Sequence, residues 1–173
     1  MRHTAIIYTV VLVLAFLCAP THAASDEVTV QVTSIAAASL SDVQIESGEA
    51  RVDEELSAYT QKLRALFAYN RYAFLGDVRT RADFGTTVRL QLPEHFAMEI
   101  EPTRFEPDGS GRIEMMVTLI RDVRTGDGRG ERGRSHDEIV LRTKIRLENG
   151  GTVLLGGPPI SDGVLILALS ARR

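Results

Sequence analysis

From Val28 to Thr33 the chain alternates strictly, with Val28, Val30 and Val32 on one side and Thr29, Gln31 and Thr33 on the other. That is the period of a strand with one buried face. The next stretch, 36 to 50, is small and polar, and Val43 and Ile45 are its only β-branched apolar residues. It is expected to be a loop with room for one short strand.

The pattern then changes period. Leu56, Tyr59, Leu63, Leu66 and Phe67 recur at helical spacing on one face, while Gln61, Lys62 and Arg64 look outward. Asp53 suits an N-cap, and Glu54 and Glu55 place negative charge where the helix dipole favours it. The spacing predicts an amphipathic helix packed on a sheet. Its outward face carries few cations, which disfavours a membrane-surface helix.

From Arg71 onward the period is two, in runs broken by Gly, Pro and Asp. The runs are Tyr72-Phe74-Gly76-Val78, Val88-Leu90-Leu92, Phe96-Met98-Ile100, Ile113-Met115-Val117-Leu119 and Ile139-Leu141-Thr143-Ile145-Leu147. A turn at Asn149-Gly150-Gly151 leads to Val153-Leu154-Leu155, a Gly156-Gly157-Pro158-Pro159 break, a turn at Asp162-Gly163, and Val164 to Leu169. The last run is apolar on both sides, so it is expected at the centre of the sheet or between sheet and helix. The predicted fold class is α+β: a mainly antiparallel β-sheet of six to eight strands with one N-terminal amphipathic helix packed on it.

The first residues add a location. Met1-Arg2-His3-Thr4 is followed by an apolar run from Ala5 to Leu17, and Pro20, Thr21 and Ala23 come next. The run is shorter than the roughly 20 residues a transmembrane helix needs and fits a secretory signal peptide. Residues 1–23 are therefore expected to be cleaved, leaving 24–173 as a single β-rich domain, periplasmic or secreted, with no transmembrane segment. The one cysteine, Cys18, lies in the signal, so the mature domain would have no thiol chemistry. Leu17 directly before it departs from the bacterial lipoprotein pattern. The formal charge is −3, and loss of Arg2 makes the mature chain one unit more negative, which argues against a general nucleic-acid binder.

Candidate chemistry is sparse. Gly128 to Gly133 matches GxGxxG in letters, but a strand follows where a dinucleotide site needs a helix N-terminus. The same segment supplies Arg124, Arg129, Arg132 and Arg134, which could grip a phosphate or an anionic envelope polymer through charge-assisted hydrogen bonds. Arg142, Lys144 and Arg146 form a basic ladder on the next strand, for which cross-strand acids are the ordinary explanation. His95 and His136 fall in predicted turns; His136, Asp137 and Glu138 are successive residues, which in a strand point to alternating faces and cannot jointly clasp one ion, and Ser135-His136-Asp137 has triad residue types but adjacency in sequence is not triad geometry. Asp83, Glu94, Glu99, Glu101, Glu106 and Asp108 leave a carboxylate pair open without saying which two would meet. Gly109-Ser110-Gly111 is a turn and not a nucleophile elbow. No catalytic residue, metal ligand or cofactor is assigned.

Leu63 to Tyr72, with Asn149 to Pro158 and Asp162 to Ile166, resembles a group of small exported bacterial proteins of unassigned function. Gly151-Thr152-Val153-Leu154-Leu155-Gly156-Gly157 is also similar to the glycine-flanked strand near the end of secretin outer-membrane channels, over about twenty residues. The chain lacks the length of a secretin barrel and its periplasmic repeats. What the likeness implies is a bacterial envelope setting. The expectation is a non-enzymatic binding or assembly module whose partner is an envelope or secretion-system protein or an anionic polymer. The alternative is a small carboxylate-dependent hydrolase.

Overall fold

The computed structural model describes residues 27–39, 51–107, 111–125 and 134–173. The chain is mostly β: β1 (Glu27–Ala38), β2 (Arg51–Val52), a 3-10 turn (Glu54–Tyr59), α1 (Thr60–Leu66), β3 (Arg71–Asp83), β4 (Val88–Gln91) and β5 (Phe96–Glu106). There follow β6 (Arg112–Thr125), β7 (Arg134–Glu148), β8 (Thr152–Ile160) and β9 (Gly163–Arg172). These form not one sheet but two, a five-stranded sheet in the order β2-β3-β1-β9-β8 and a four-stranded sheet in the order β4-β5-β6-β7. All pairings are antiparallel except the short β2–β3 contact.

One core lies between the sheets. Val28, Val30 and Val32 of β1 and Leu165, Leu167 and Leu169 of β9 meet Met98, Ile100, Ile113, Met115, Val117 and Leu119 of the other sheet. Strands apolar on one face need a cover, and a helix of seven residues is too small to provide it for the whole five-stranded sheet. The second sheet takes that role, so a single sheet of six to eight strands gives way to a sandwich with nine strands among the described residues.

A second cluster sits on the other side of the five-stranded sheet, where Leu56 and Leu63 are buried with Ile35, Ala37, Tyr72, Ile166 and Ala168. This explains β1 and β9. Each is buried on one face along the sandwich and on both faces where the helical segment covers it. The final apolar run is therefore an interior strand, as its lack of a polar face predicts.

The helical segment departs from expectation in three ways. Its first part is 3-10, which advances side chains faster around the axis than an α-helix, and α1 stops at Leu66. Leu66 is consequently 65% exposed, although the stripe predicted it buried. Asp53 does not cap with its side chain. Its Oδ2 accepts the Phe74 amide at 2.9 Å, next to the point where the two-residue β2 ends. At the other end the buried Tyr72 hydroxyl donates to the carbonyls of Phe67 (2.8 Å) and Leu63 (3.2 Å), and burial raises its pKa.

Two strands carry irregularities. In β3, Ser34 pairs with Gly76 and Ile35 with Phe74, so Leu75 is an extra residue against β1. Tyr72 and Phe74 face the helix while Leu75 and Val78 pack into the sandwich, so the predicted single-faced run Tyr72 to Val78 is split between two faces. In β8 the glycine–proline stretch is not a break. The strand runs through it with a register shift between Gly156 and Pro159. The turn that follows needs Gly163, whose φ is +135° and where any Cβ would collide with the Ala37 carbonyl. No helix among the described residues is long and apolar enough to cross a membrane.

Candidate functional site

The segment expected to bind anions is only partly in view. Residues 126–133, with Arg129, Arg132 and the GxGxxG letters, lie outside the described residues. Arg124 and Arg134 occupy the paired ends of β6 and β7, where Arg124 is opposite Ser135 and Arg134 opposite Thr125. The proposed cleavage site, residues 40–50, Asp108 and Gly109-Ser110 also lie outside.

Two cations of the basic ladder on β7, Lys144 and Arg146, meet an acid, while Arg142 lies opposite Thr118. Glu114 on the neighbouring strand is buried and receives Lys144 Nζ at 2.8 Å and Arg146 through Nε (3.0 Å) and a close Nη2 contact. Hydrogen bonds from Lys144 first, and then Arg146, hold its carboxyl at a pKa of about 2. Arg89, on β4, reaches Asp137 on the opposite edge strand β7 through two hydrogen bonds of 2.8 and 3.1 Å, and also meets Glu99 at 3.3 Å. The Arg89 guanidinium lowers the Asp137 pKa. Asp137 is thereby committed to Arg89, not to the exposed His136 beside it.

The other carboxylates among the described residues stand at separate places on the strands and turns. Glu101 accepts from Thr87 at 3.5 Å, Glu94 from Ser161 at 3.5 Å, Asp83 lies opposite Glu27, and Glu106 lies opposite Arg112. His95 sits with Glu94 in the β4–β5 hairpin turn, where φ is +59° for Glu94 and +60° for His95, and its carbonyl accepts the Asp122 amide at 2.8 Å.

A different place gathers cations of which two, Arg79 and Arg172, have no acid partner among the described residues. Beyond the helix, the outer face of the five-stranded sheet continues as two polar rows. One row is Arg81–Thr29–Arg172 across β3, β1 and β9, and the next is Arg79–Gln31–Ser170. Thr29, Gln31, Arg79, Ser170, Ala171 and Arg172, with the Asn149-Gly150 turn, line a depression of about 560 Å³. The turn is fixed there because the Gly150 amide donates to the Ala171 carbonyl at 2.8 Å.

Arg79 and Arg172 are exposed, and neither is bonded to a carboxylate among the described residues. Asp77, the nearest acid along β3, is occupied by Gln31 (3.0 and 3.1 Å) and Thr33 (3.1 Å). Arg81 has only the 3.8 Å contact to Glu27, with its side chain 73% exposed, which is a weak pair. Guanidinium groups with free donor edges beside hydroxyl and amide groups suit a carboxylate or phosphate.

Sequence reading passed over these arginines. Arg79 and Arg81 alternate with Val78, Thr80 and Ala82, which is a legible signal of an outward face. Their convergence with Arg172 is not legible, because it depends on β1 lying between β3 and β9. No protein-family model, no curated protein and no solved structure matches the chain. The functional reading therefore rests on this chain's own geometry.

Proposed function

We propose that the protein is an exported, non-enzymatic binding module of the bacterial envelope that takes an anionic component on the open outer face of its five-stranded sheet. The observation that carries this reading is the pair Arg79 and Arg172, free of carboxylate partners among the described residues and set beside Thr29, Gln31 and Ser170. Export is supported by the leader-like start, Met1 to Ala23. A chain with an acidic net charge that keeps a local basic face favours selective over general attraction to anions.

Binding to a dextran sulfate column at low salt tests it. Wild type is expected to be retained and to elute as ionic strength passes about 0.15 M, where screening shortens to roughly 8 Å. Arg79→Ser with Arg172→Ser should flow through while keeping the wild-type circular dichroism. A second variant with Arg124, Arg129, Arg132 and Arg134 all changed to Ser separates the two basic regions. If only that variant loses retention, the sheet face is not the site. In the native cell, the periplasmic form should begin at Ala24 or Ser25, and an exported form still beginning at Met1 would exclude cleavage.

A further inference from the structure

Building on that reading, we infer that the ligand is a polyanion, carrying at least two oxyanion groups about 7 to 12 Å apart, and not a single small anion; the spacing follows from the sheet itself. Side chains two residues apart on one strand leave the same face about 6.8 Å apart, and adjacent strands lie about 4.8 Å apart. Arg79 and Arg81 are two apart on β3 and share a face. Arg81 and Arg172 both lie opposite Thr29, one on each side of β1, so their backbones are two strand spacings, about 9.6 Å, apart.

The three cations therefore stand at the corners of a triangle whose edges are set by backbone hydrogen bonding. The sites between them carry Thr29 and Gln31, with Ser170 beside Gln31, which add donors and no negative charge. One anion meets one or two of these guanidinium groups. A chain of anions can meet all three without bending the sheet, and the second contact is made at the high local concentration that the first creates.

Titration calorimetry with methylphosphonate and a series of alkane-α,ω-bisphosphonates of increasing spacer length tests the inference. Affinity should rise at least about tenfold over methylphosphonate once the spacer lets the two phosphonates sit about 7 to 12 Å apart, with little gain for shorter members. Arg172→Gln should remove the gain at the longer separations, about 10 to 12 Å, and leave at most the one that Arg79 and Arg81 set near 7 Å. Arg172→Lys should fall between, because the charge stays and the forked donor is lost. The exposed Arg172 is not needed for packing, so both variants are expected to melt with wild type.

Equal affinity for methylphosphonate and every bisphosphonate, lost in Arg79→Gln, would leave anion binding on this face standing and overturn the polyanion. Spacer-dependent binding untouched by Arg79→Gln and Arg172→Gln would place the site elsewhere and overturn both. An alkane-α,ω-dicarboxylate series run in parallel tells whether planar carboxylates meet the same spacing as tetrahedral phosphonates. A gain at the predicted separation in either series supports the inference.

Discussion

The outer faces of the two sheets use cations in opposite ways. On the four-stranded sheet Lys144 and Arg146 enclose the buried Glu114, and Arg89 spans from one edge strand to Asp137 on the other. On the five-stranded sheet Arg79 and Arg172 flank β1 with no acid set against them among the described residues. Charge on the first face is spent on holding strands together. Charge on the second is available to a ligand. A residue type, even on the same kind of strand, therefore says little about role until its cross-strand neighbours are known.

The largest effect is expected from uncovering the five-stranded sheet. Leu63→Ala should cost about 2 to 5 kcal/mol in denaturant unfolding, because it empties the cluster that joins the helical segment to β1, β3 and β9. Leu66→Ala, at the exposed end of the same helix, should change little. Equal losses for both would mean that the helix is held by some other face.

Glu114→Gln is expected to lower the melting temperature at neutral pH by leaving Lys144 and Arg146 without their shared partner. The sign with pH follows from the carboxyl's pKa, about 2 in the fold against an ordinary 4.5. Its contribution is complete above about pH 4.5 and is lost as pH falls towards about 2, so the gap between wild type and variant should close across that window. A gap independent of pH would show that the ion cluster is not what the substitution removes.

A smaller gain is expected at the β4–β5 hairpin, where a non-glycine residue in the left-handed region costs roughly 1 to 2 kcal/mol. His95→Gly should stabilise by about 1 kcal/mol, since glycine adopts φ near +60° without a steric penalty. A loss instead would indicate that the imidazole makes contacts worth more than the backbone relief. The smallest effect on folding belongs to the open face: Arg79→Ser with Arg172→Ser should leave the melting temperature unchanged while abolishing polymer binding. A substantial fall in melting temperature would make those arginines structural and erase the contrast between the sheets.

Most strands were legible because period-two runs such as Ile113 to Leu119 keep one face buried, whatever partner they find. Their division into two sheets was not, since alternation says which face is apolar but not which strands are neighbours. The helix was legible as amphipathic at Leu56 and Leu63 and misleading at Leu66, because α1 ends there and the chain leaves it extended at Phe67, an end the periodic pattern does not mark. At the site, Arg79 and Arg172 are remote in sequence and meet only through β1. The arginines of the glycine-rich segment were legible by local density, and Arg129 and Arg132 lie outside the described residues.

The extra residue at Leu75 has a consequence for how this surface can be lost. In β3, outward and inward positions are assigned by counting, and Leu75 changes the count from odd to even partway along the strand. Remove the extra residue itself and the pairing becomes regular with Arg79 and Arg81 still outward; remove Val78 instead, beyond the bulge, and strict alternation from Asp77 would send Arg79 and Arg81 into the sandwich and bring Thr80 and Ala82 out to water. The basic face would disappear with every arginine still present in the chain. Its encoding is thus arithmetical: point substitutions elsewhere in β3 leave it intact, while a single-codon deletion at Val78 erases it. A survey of sequence identity alone would score that chain as almost unchanged.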